Sequence, residues 1–241
     1  MAAEPEPQPS GGTDYAEYLL IDDLLRLQRP FTPGAHDELL FIVVHQVYEL
    51  WFKLMLHELD LARRELEAGR TQAAIAPLDR VIAIERVLLD QLPVLETMSP
   101  EGFMEFRDPL APASGFQSRQ FRELERFSAG PLWEAFQAAA GRLGVQVPDG
   151  LPDLYRDHKD DPERAILHLV CERLLDHDEG FARWRSSHVL MVSREIGSRP
   201  GTGGSRGVEY LRTTLDQRFY PDLWEVRNLS LIHISEPTRP Y

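Results

Sequence analysis

Apolar side chains recur every three to four positions over long stretches of the chain, and the longest such stretch covers residues 37–68. The first half of this stretch is apolar on nearly every side, which is typical of a helix at the centre of a fold. Gly69 follows the last periodic residue and is a typical helix stop. No segment shows sustained alternation with a period of two residues. The pattern therefore predicts an all-α fold.

Residues that start or break helices divide the rest of the chain. Ser99 followed by Pro100 predicts a helix start, because serine caps a helix and proline fits its first position. Prolines and small residues between Pro109 and Gly115 predict a turn. Further helices are expected over residues 18–27, 72–92, 116–127, 165–196 and 208–218, with two or three helices within 130–180 and a glycine-rich loop at 201–207.

The two ends of the chain differ from the region between them. Residues 1–13 are mostly Pro, Glu, Gly and Ser and have almost nothing to bury, so we expect a disordered leader. Residues 14–229 are expected to form one domain. Residues 230–241 have no helical pattern, and we hypothesise that this tail is a cloning or sequencing artefact or is disordered.

Composition excludes several classes of protein. A hydrophobic fraction of 43% in 241 residues is enough for a substantial core. Acidic residues outnumber basic ones by 39 to 26, which argues against a nucleic-acid partner. Cys171 is the single cysteine and the first residues lack the pattern of an export signal, so we expect a cytoplasmic protein. No apolar run approaches the roughly 20 residues that span a bilayer.

Two of the eight histidines stand out. His45 lies in the apolar helix predicted for residues 37–68, one turn after Phe41, and therefore faces a cavity or has an internal partner. His188 lies one turn after Trp184 on another apolar helix face, where a neutral imidazole can bind a metal. Each histidine alone is more often a structural residue than a ligand. Two buried histidines far apart in the sequence suit the opposite faces of a haem.

A third candidate group is cationic. Arg107 precedes the small-residue turn and either forms a surface ion pair with Glu105 or Asp108 or, if buried, needs an anion such as a ligand carboxylate. The loop RPGTGGSRG, which contains Thr202, could bind an anion through backbone N–H groups but lacks the ending of a P-loop. On its own, this loop reads more simply as a connector.

Five segments, in this order, resemble the tryptophan 2,3-dioxygenase family: YAEYLLIDDLLRLQ, HDELLFIVVHQVYELWFK, LETMSPEGFMEFRDPLAPASGFQSRQF, WRSSHVLMVSREIGS and GTGGSRGVEYL. The resemblance covers most of residues 15–121 and 181–226. It implies an all-α haem-binding domain of the tryptophan and indoleamine dioxygenase type. The segment between Gln117 and Trp184 is shorter than in this family.

The resemblance also implies a cofactor and a set of site residues. The cofactor would be haem b, with ferrous iron in the active state, and His188 would be its axial ligand. His45 would lie on the distal side beside the indole N–H of the substrate. Arg107 would bind the substrate carboxylate, and Thr202 would contact the amino-acid end of the substrate. The remaining positions implied by the resemblance are Phe41 and Phe103 around the indole, Leu110 and Ser114 in the pocket, Ser114 and Gly115 beside the haem, and Tyr15 and Tyr18 entering the site of a neighbouring subunit in a homotetramer.

The activity implied by the resemblance is the cleavage of the indole C2–C3 bond of L-tryptophan with O2, which gives N-formyl-L-kynurenine and starts the kynurenine pathway. Two alternatives stay open. The first is a family relative that oxidises a different indole in specialised metabolism, for which the shorter middle segment leaves room. The second is a haem carrier or gas sensor without turnover, which would have no need of Arg107 as a carboxylate clamp.

Overall fold

A computed structural model describes residues 14–204 and 206–234. Within these residues all regular structure is helical, which agrees with the all-α prediction. The α-helices are α1 (Tyr15–Tyr18), α2 (Ile21–Leu24), α3 (Asp37–Glu67), α4 (Ile75–Leu95), α5 (Pro100–Leu110), α6 (Arg119–Phe127), α7 (Trp133–Arg142), α8 (Leu151–Asp157), α9 (Pro162–Ile196), α10 (Val208–Arg212) and α11 (Pro221–Ile234).

Helix α3 is the centre of the bundle and packs against α4, α6 and α7, while α4 also packs against α9. Met55, Leu59 and Ala62 follow each other at helical spacing along α3 and are fully buried. Gly69 ends this helix as predicted, with a φ of 76° that a residue without a side chain adopts at little cost. The predicted helix is therefore confirmed, but its first half is not enclosed on all sides, since Leu39, Val43 and Leu50 are 48%, 40% and 52% exposed.

Side-chain caps fix the starts of α5 and α9. The Ser99 hydroxyl accepts a hydrogen bond from the Gly102 N–H at 2.9 Å, which confirms the predicted start of α5 at Pro100. The Asp161 carboxylate accepts one from the Glu163 N–H at 2.9 Å at the start of α9. This cap starts α9 three residues before the predicted start at residue 165. The resulting helix of 35 residues is the longest in the described part of the chain.

The segment before α3 differs from its prediction. The sequence predicts one amphipathic helix over residues 18–27, but the structure has the two short helices α1 and α2. Hydrogen bonds attach the connection after α2 to α3. The Gln28 side chain donates to Gln46 at 2.6 Å. The Glu38 carboxylate accepts from the N–H groups of Phe31 and Thr32 at 2.8 Å each. Leu20, Leu25 and Leu27 are 63%, 70% and 58% exposed, so little apolar packing stabilises a longer helix here.

The last predicted helix is also different. Residues 208–218 were predicted to form one helix, but α10 ends at Arg212. The hydroxyls of Thr213 and Thr214 bond to backbone carbonyls of the preceding turn at 2.7 and 2.8 Å, and such bonds compete with helix continuation. Helix α11 then begins at Pro221, which the sequence prediction missed.

Helix α11 continues through residues 230–234, where we predicted no helical pattern. Its buried side chains Leu223 and Val226 are one turn apart, which is the signal that could have revealed the helix. Residues 235–241 of the predicted tail and the predicted leader of residues 1–13 lie outside the described residues.

Residues 119–142 form an almost unbroken helix, which we call the rod. A five-residue π-helical turn, Ser128–Leu132, joins α6 directly to α7. Helix α8 comes next, so the two or three helices predicted within 130–180 are present as α7, α8 and the first half of α9. The π-turn lies against α3, which keeps the rod in the bundle.

One helix among the described residues, α3, has the length and apolar composition that could cross a bilayer. Core helices pass the same test, and in this bundle α3 contacts three other long or medium helices.

Candidate active site

His45 lies near the middle of the first half of α3, and its imidazole is fixed by the backbone of the preceding turn. The Nδ1 atom lies 2.7 Å from the carbonyl oxygen of Phe41. A carbonyl can only accept, so Nδ1 carries the proton and donates, which leaves Nε2 with a free lone pair. Solvent reaches this imidazole, but the protein around it removes enough hydration to lower the pKa of His45. The residue is therefore a neutral acceptor. We call the solvent-accessible space beside it, between α3, α5 and α9, the recess.

His188 lies on α9 with its ring parallel to that of Trp184. The two ring centroids are 5.0 Å apart and the ring planes differ by 7°. Burial in this apolar setting, together with the nearby His45, lowers the pKa of His188 to about 4. The imidazole is consequently neutral at neutral pH, which is the form that binds metals.

Aromatic contacts bring the two histidine-bearing helices together. Tyr48, one turn after His45, and Trp184, one turn before His188, have ring centroids 6.0 Å apart. The Tyr48 hydroxyl donates to the Leu88 carbonyl at 2.7 Å and lies 3.5 Å from the indole nitrogen of Trp184. The structure thus places His45 and His188, 143 positions apart in the sequence, on facing turns of α3 and α9.

The predicted aromatic residues line one side of the recess. Phe41 packs on His45 with ring centroids 4.0 Å apart, and its ring lies 5.9 Å from that of Phe103. Phe106 completes this cluster at 5.5 Å from Phe41 and is fully buried. We did not predict Phe106, although its spacing of three residues from Phe103 on an amphipathic helix is the signal that indicates a shared face.

Arg107 comes directly after this cluster on α5 and points to the loop after α9. Its Nη2 atom donates to the Pro200 carbonyl at 2.7 Å. The ion pair with Asp108 that the sequence suggested as an alternative is long, 3.9 Å, and the Asp108 side chain is 95% exposed, so this pair contributes little. The Arg107 Nε atom is buried and has no hydrogen-bond partner in the described part of the chain. Arg107 therefore keeps donor capacity for an anion.

The glycine-rich loop covers the turn that comes after α5. The Thr202 hydroxyl donates to the Ala113 carbonyl at 2.6 Å. Gly203 lies so close to Ser114 that a Cβ atom at position 203 would be 2.5 Å from the Ser114 Cβ. These two contacts and the Arg107 bond hold residues 200–203 against the turn at 111–114, and we call residues 200–203 the loop cover.

The remaining predicted site residues differ in how far they are buried. Leu110 is half-buried against the core, Ser114 is half-buried beneath the loop cover, and Gly115 is exposed at the start of a short 3-10 turn. The side chains of Tyr15 and Tyr18 are 73% and 75% exposed. Within one chain these two tyrosines do not enclose the recess.

The residues around the two histidines fit a haem. The recess offers one neutral imidazole on α9 and aromatic or apolar side chains around it, which is the donor set of a haem with a single histidine ligand. Among residues 14–204 and 206–234, no group of three or more His, Cys, Asp and Glu side chains could hold a bare metal ion. The site therefore suits an iron that brings its own macrocycle.

Comparison with known proteins gives the same family that the sequence motifs suggested. A family model described as tryptophan 2,3-dioxygenase matches residues 3–131 and 152–229. The chain belongs to the tryptophan 2,3-dioxygenase family. A relative in Nocardioides sp., named tryptophan 2,3-dioxygenase, is 44% identical over 249 residues, covering 89% of this chain and 93% of its own length. Relatives with the same name in Anaeromyxobacter dehalogenans (42% identical over 90% of this chain and 96% of their own) and Herpetosiphon aurantiacus (40%, over 88% and 96%) agree.

The alignment with the Nocardioides relative contains gaps in this chain. This alignment is 249 positions long, more than the 241 residues of the chain, although only 89% of the chain takes part. The relative therefore contains residues that this chain lacks. The family match breaks between residues 131 and 152, and its first block ends inside the π-turn that joins α6 to α7.

Proposed function

We propose that the chain is a haem-dependent dioxygenase that cleaves the C2–C3 bond of L-tryptophan with O2, inserts both oxygen atoms and releases N-formyl-L-kynurenine. This reaction is the first step of the kynurenine pathway of tryptophan breakdown. The observation that carries the proposal is the pairing of His45 and His188 across an aromatic recess in a chain of this family. The chain covers more than nine tenths of the length of these relatives, which supports the proposal that it has their complete activity.

His188 would hold haem b as its axial ligand, with Trp184 fixing the plane of the imidazole. Ser114 and Gly115 would lie beside the haem, at the turn beneath the loop cover. When bound in the ferrous state, haem supplies the iron at which O2 is activated. The aromatic residues Phe41 and Phe103 would exclude water from the indole and hold it in place.

His45 would act on the indole N–H of the substrate. Since its Nδ1 proton is committed to the Phe41 carbonyl, its Nε2 atom is the acceptor that faces the recess. An acceptor at this point fixes the orientation of the indole by a hydrogen bond to N1. Positioning is the role that this geometry supports, and it needs no protonated histidine.

Arg107 and the loop cover would recognise the amino-acid part of the substrate. The guanidinium of Arg107, whose buried Nε–H has no hydrogen-bond partner among the described residues, would be satisfied by a carboxylate that enters the site. Thr202 already lies against the turn that carries Ala113 and would close over the amino-acid end. Leu110 and Ser114 would complete the pocket. This clamp favours L-tryptophan over an indole that lacks a carboxylate.

The test is to reconstitute the full chain with haem, reduce it, add L-tryptophan and air, and follow the near-ultraviolet absorbance of N-formylkynurenine. We expect product that depends on haem and is lost in His188→Ala. Tryptamine, which has the indole but lacks the carboxylate, should be a poor substrate. Equal turnover of tryptamine would favour a relative acting on another indole, and full haem loading without turnover of any indole would favour a haem carrier or sensor.

We further propose a homotetramer in which Tyr15 and Tyr18 enter a neighbouring subunit's site. The support is the large number of exposed apolar side chains before α3: Tyr15, Tyr18, Leu20, Leu25, Leu27 and Phe31 are each more than half exposed. Contiguous apolar surface of this kind marks an interaction site. Light scattering should give four times the chain mass, and the double variant Tyr15→Ala/Tyr18→Ala should lower tryptophan affinity while haem content is retained.

We expect the enzyme to work in the cytoplasm without a membrane or nucleic-acid partner. The excess of acidic residues supports the absence of nucleic acid, since phosphate contacts require clustered basic side chains. Fractionation of cells that express the native chain tests the location.

A further inference from the structure

A buried arginine lies on the haem-ligand helix, one turn before His188. The side chain of Arg185 is only 4% exposed, although the cost of burying an unpaired guanidinium is several kcal/mol. The residue is part of none of the contacts proposed above for haem or substrate. Its burial therefore calls for partners that keep it in one position.

The partners of Arg185 come from two other parts of the fold. Its Nη2 atom donates to the Glu125 carboxylate of α6 at 2.6 Å, and its Nη1 atom donates to the Gln217 carbonyl at 3.2 Å. The guanidinium also lies over the rings of Phe181 and Phe219, 4.9 and 5.4 Å from their centroids. One side chain thus attaches α9 both to α6 and to the segment that returns from α10.

These contacts lie on the same stripe of α9 as His188. Residues 181, 185 and 188 are spaced by four and three positions, so they succeed each other along one helix face. Phe121 of α6 packs on Phe181 and Trp184, with ring centroids 5.3 Å apart in each case. A rotation of α9 about its axis would move His188 and would also break the Arg185–Glu125 pair.

We propose that Arg185, held by Glu125, is a positioning residue for the haem ligand: the pair fixes the rotation of α9 at the turn that presents the His188 imidazole. The inference rests on the proposed function, because it assumes that His188 binds haem. Arg185 touches neither haem nor substrate in this arrangement. It acts through the helix turn, as outer partners commonly do for metal-binding histidines.

The matched control is a second arginine on the same helix. Arg173 forms an ion pair with Asp79 of α4, so it also links α9 to another helix. It lies 15 positions before His188, whereas Arg185 lies three before it. Loss of Arg173 tests the effect of removing a helix-to-helix ion pair from α9 without disturbing the turn that carries the ligand.

The experiment compares haem-loaded wild type with Arg185→Leu, Glu125→Gln and Arg173→Leu. Two readouts do not depend on turnover: the Fe–His stretching band of the ferrous protein in resonance Raman spectra, and the rate of haem transfer to apomyoglobin. We expect a shifted or broadened Fe–His band and about a 10-fold or larger rise in the haem transfer rate for Arg185→Leu and Glu125→Gln. Arg173→Leu should match wild type in both.

Thermal unfolding separates positioning from general stability. If Arg185→Leu does not fold, Glu125→Gln decides, because Glu125 is 31% exposed and the amide keeps an acceptor. An unchanged Fe–His band and haem transfer rate in Glu125→Gln, with or without a lower melting temperature, would overturn the proposal. A wild-type chain that binds no haem, or binds it without an Fe–His band, would instead contradict the proposed function.

Discussion

Two pairs of histidines in this fold have opposite surroundings. His158 and His168 stack directly on each other, with ring centroids 3.8 Å apart and planes within 3°. His158 Nδ1 lies 3.1 Å from the Tyr155 carbonyl, and Glu172 lies near His168. We call this group the histidine corner. In contrast, His45 and His188 lie on different helices and pack on Phe41 and Trp184, not on each other.

This difference in surroundings separates histidines with a structural role from histidines that can bind a ligand. The rings of the histidine corner use each other and nearby polar groups, so their chemistry is internally satisfied. At the site pair, the Nδ1 atom of His45 contacts the Phe41 carbonyl, and each imidazole packs on an aromatic ring, that of Phe41 or Trp184. Contact with aromatic rings, together with a ring nitrogen available for a ligand, is what distinguishes the proposed site pair.

The largest expected effect comes from removing the site histidine on α9, and removal of a histidine from the histidine corner is the control. His188→Ala should abolish stable haem binding, because the proposed haem ligand is lost. His168→Ala removes a histidine from the same helix and should leave haem content unchanged. The measurement is the haem-to-protein ratio after gel filtration of both variants, and normal haem content in His188→Ala would remove His188 from the site.

The second effect compares the arginine near the site pair with the arginine near the histidine corner. Arg107→Leu should weaken L-tryptophan binding about 10- to 100-fold, since a charge-assisted hydrogen bond contributes about 1.5–3 kcal/mol. Haem content should change little. Arg227, which pairs with Glu172 in the histidine corner, is the control. Arg227→Leu should leave substrate affinity intact when the shift of the haem spectrum is titrated with L-tryptophan, and equal affinities in both variants would contradict the clamp.

The third effect tests whether the site depends on the position of the loop cover. An alanine at Gly203 would place its Cβ 2.5 Å from the Ser114 Cβ, so the loop cover must move. Since small misplacements in a site can cost up to about 100-fold in rate, we expect kcat/KM to fall about tenfold. Gly141→Ala in α7, where a Cβ meets nothing within 4 Å, is the control. Wild-type kinetics in Gly203→Ala would show that the loop cover does not act in turnover.

The smallest effect is the part of the pH dependence of stability that comes from the histidine corner. Burial, then the neighbouring His158 and Arg227, lowers the pKa of His168, while Glu172 opposes the shift. Since the unfolded chain then takes up a proton more readily than the folded one, stability should be lost as pH falls through about 6.5.

His168→Gln cannot take up this proton. Its melting temperature should therefore fall less than that of wild type between about pH 7 and pH 5. Parallel melting curves in the two proteins would contradict the assignment. Because His168 lies five turns of α9 before His188, the haem spectrum should be the same in both proteins.

The helices with strong periodicity were predictable, and the contacts between distant segments were not. Residues 37–68 carry one dominant apolar pattern, and their helix appears as predicted. The break at Arg212 depends on threonine hydroxyls that bond to the backbone, and α4 passes through Pro93 in its last turn, so local residue preferences mislead at both places.

The same distinction applies to the site. His45 and His188 could be singled out because each is a polar residue on an apolar helix face. The bond from Arg107 to the Pro200 carbonyl spans 93 positions, and no periodicity within a single helix encodes it. Arg185 interrupts an apolar face just as His188 does, so its burial was accessible from the pattern, but its partner Glu125 was not.

The wide turn at Ser128–Leu132 determines where this fold can change its length. The first block of the family match ends within this turn, and neither histidine-bearing helix passes through it. Buried Ser128 lies 2.9 Å from His177 of α9, so an insertion is best placed after it, at the exposed Ala129. A peptide tag or a reporter domain grafted between Ala129 and Gly130 would therefore be carried by the enzyme at a distance from the chemistry.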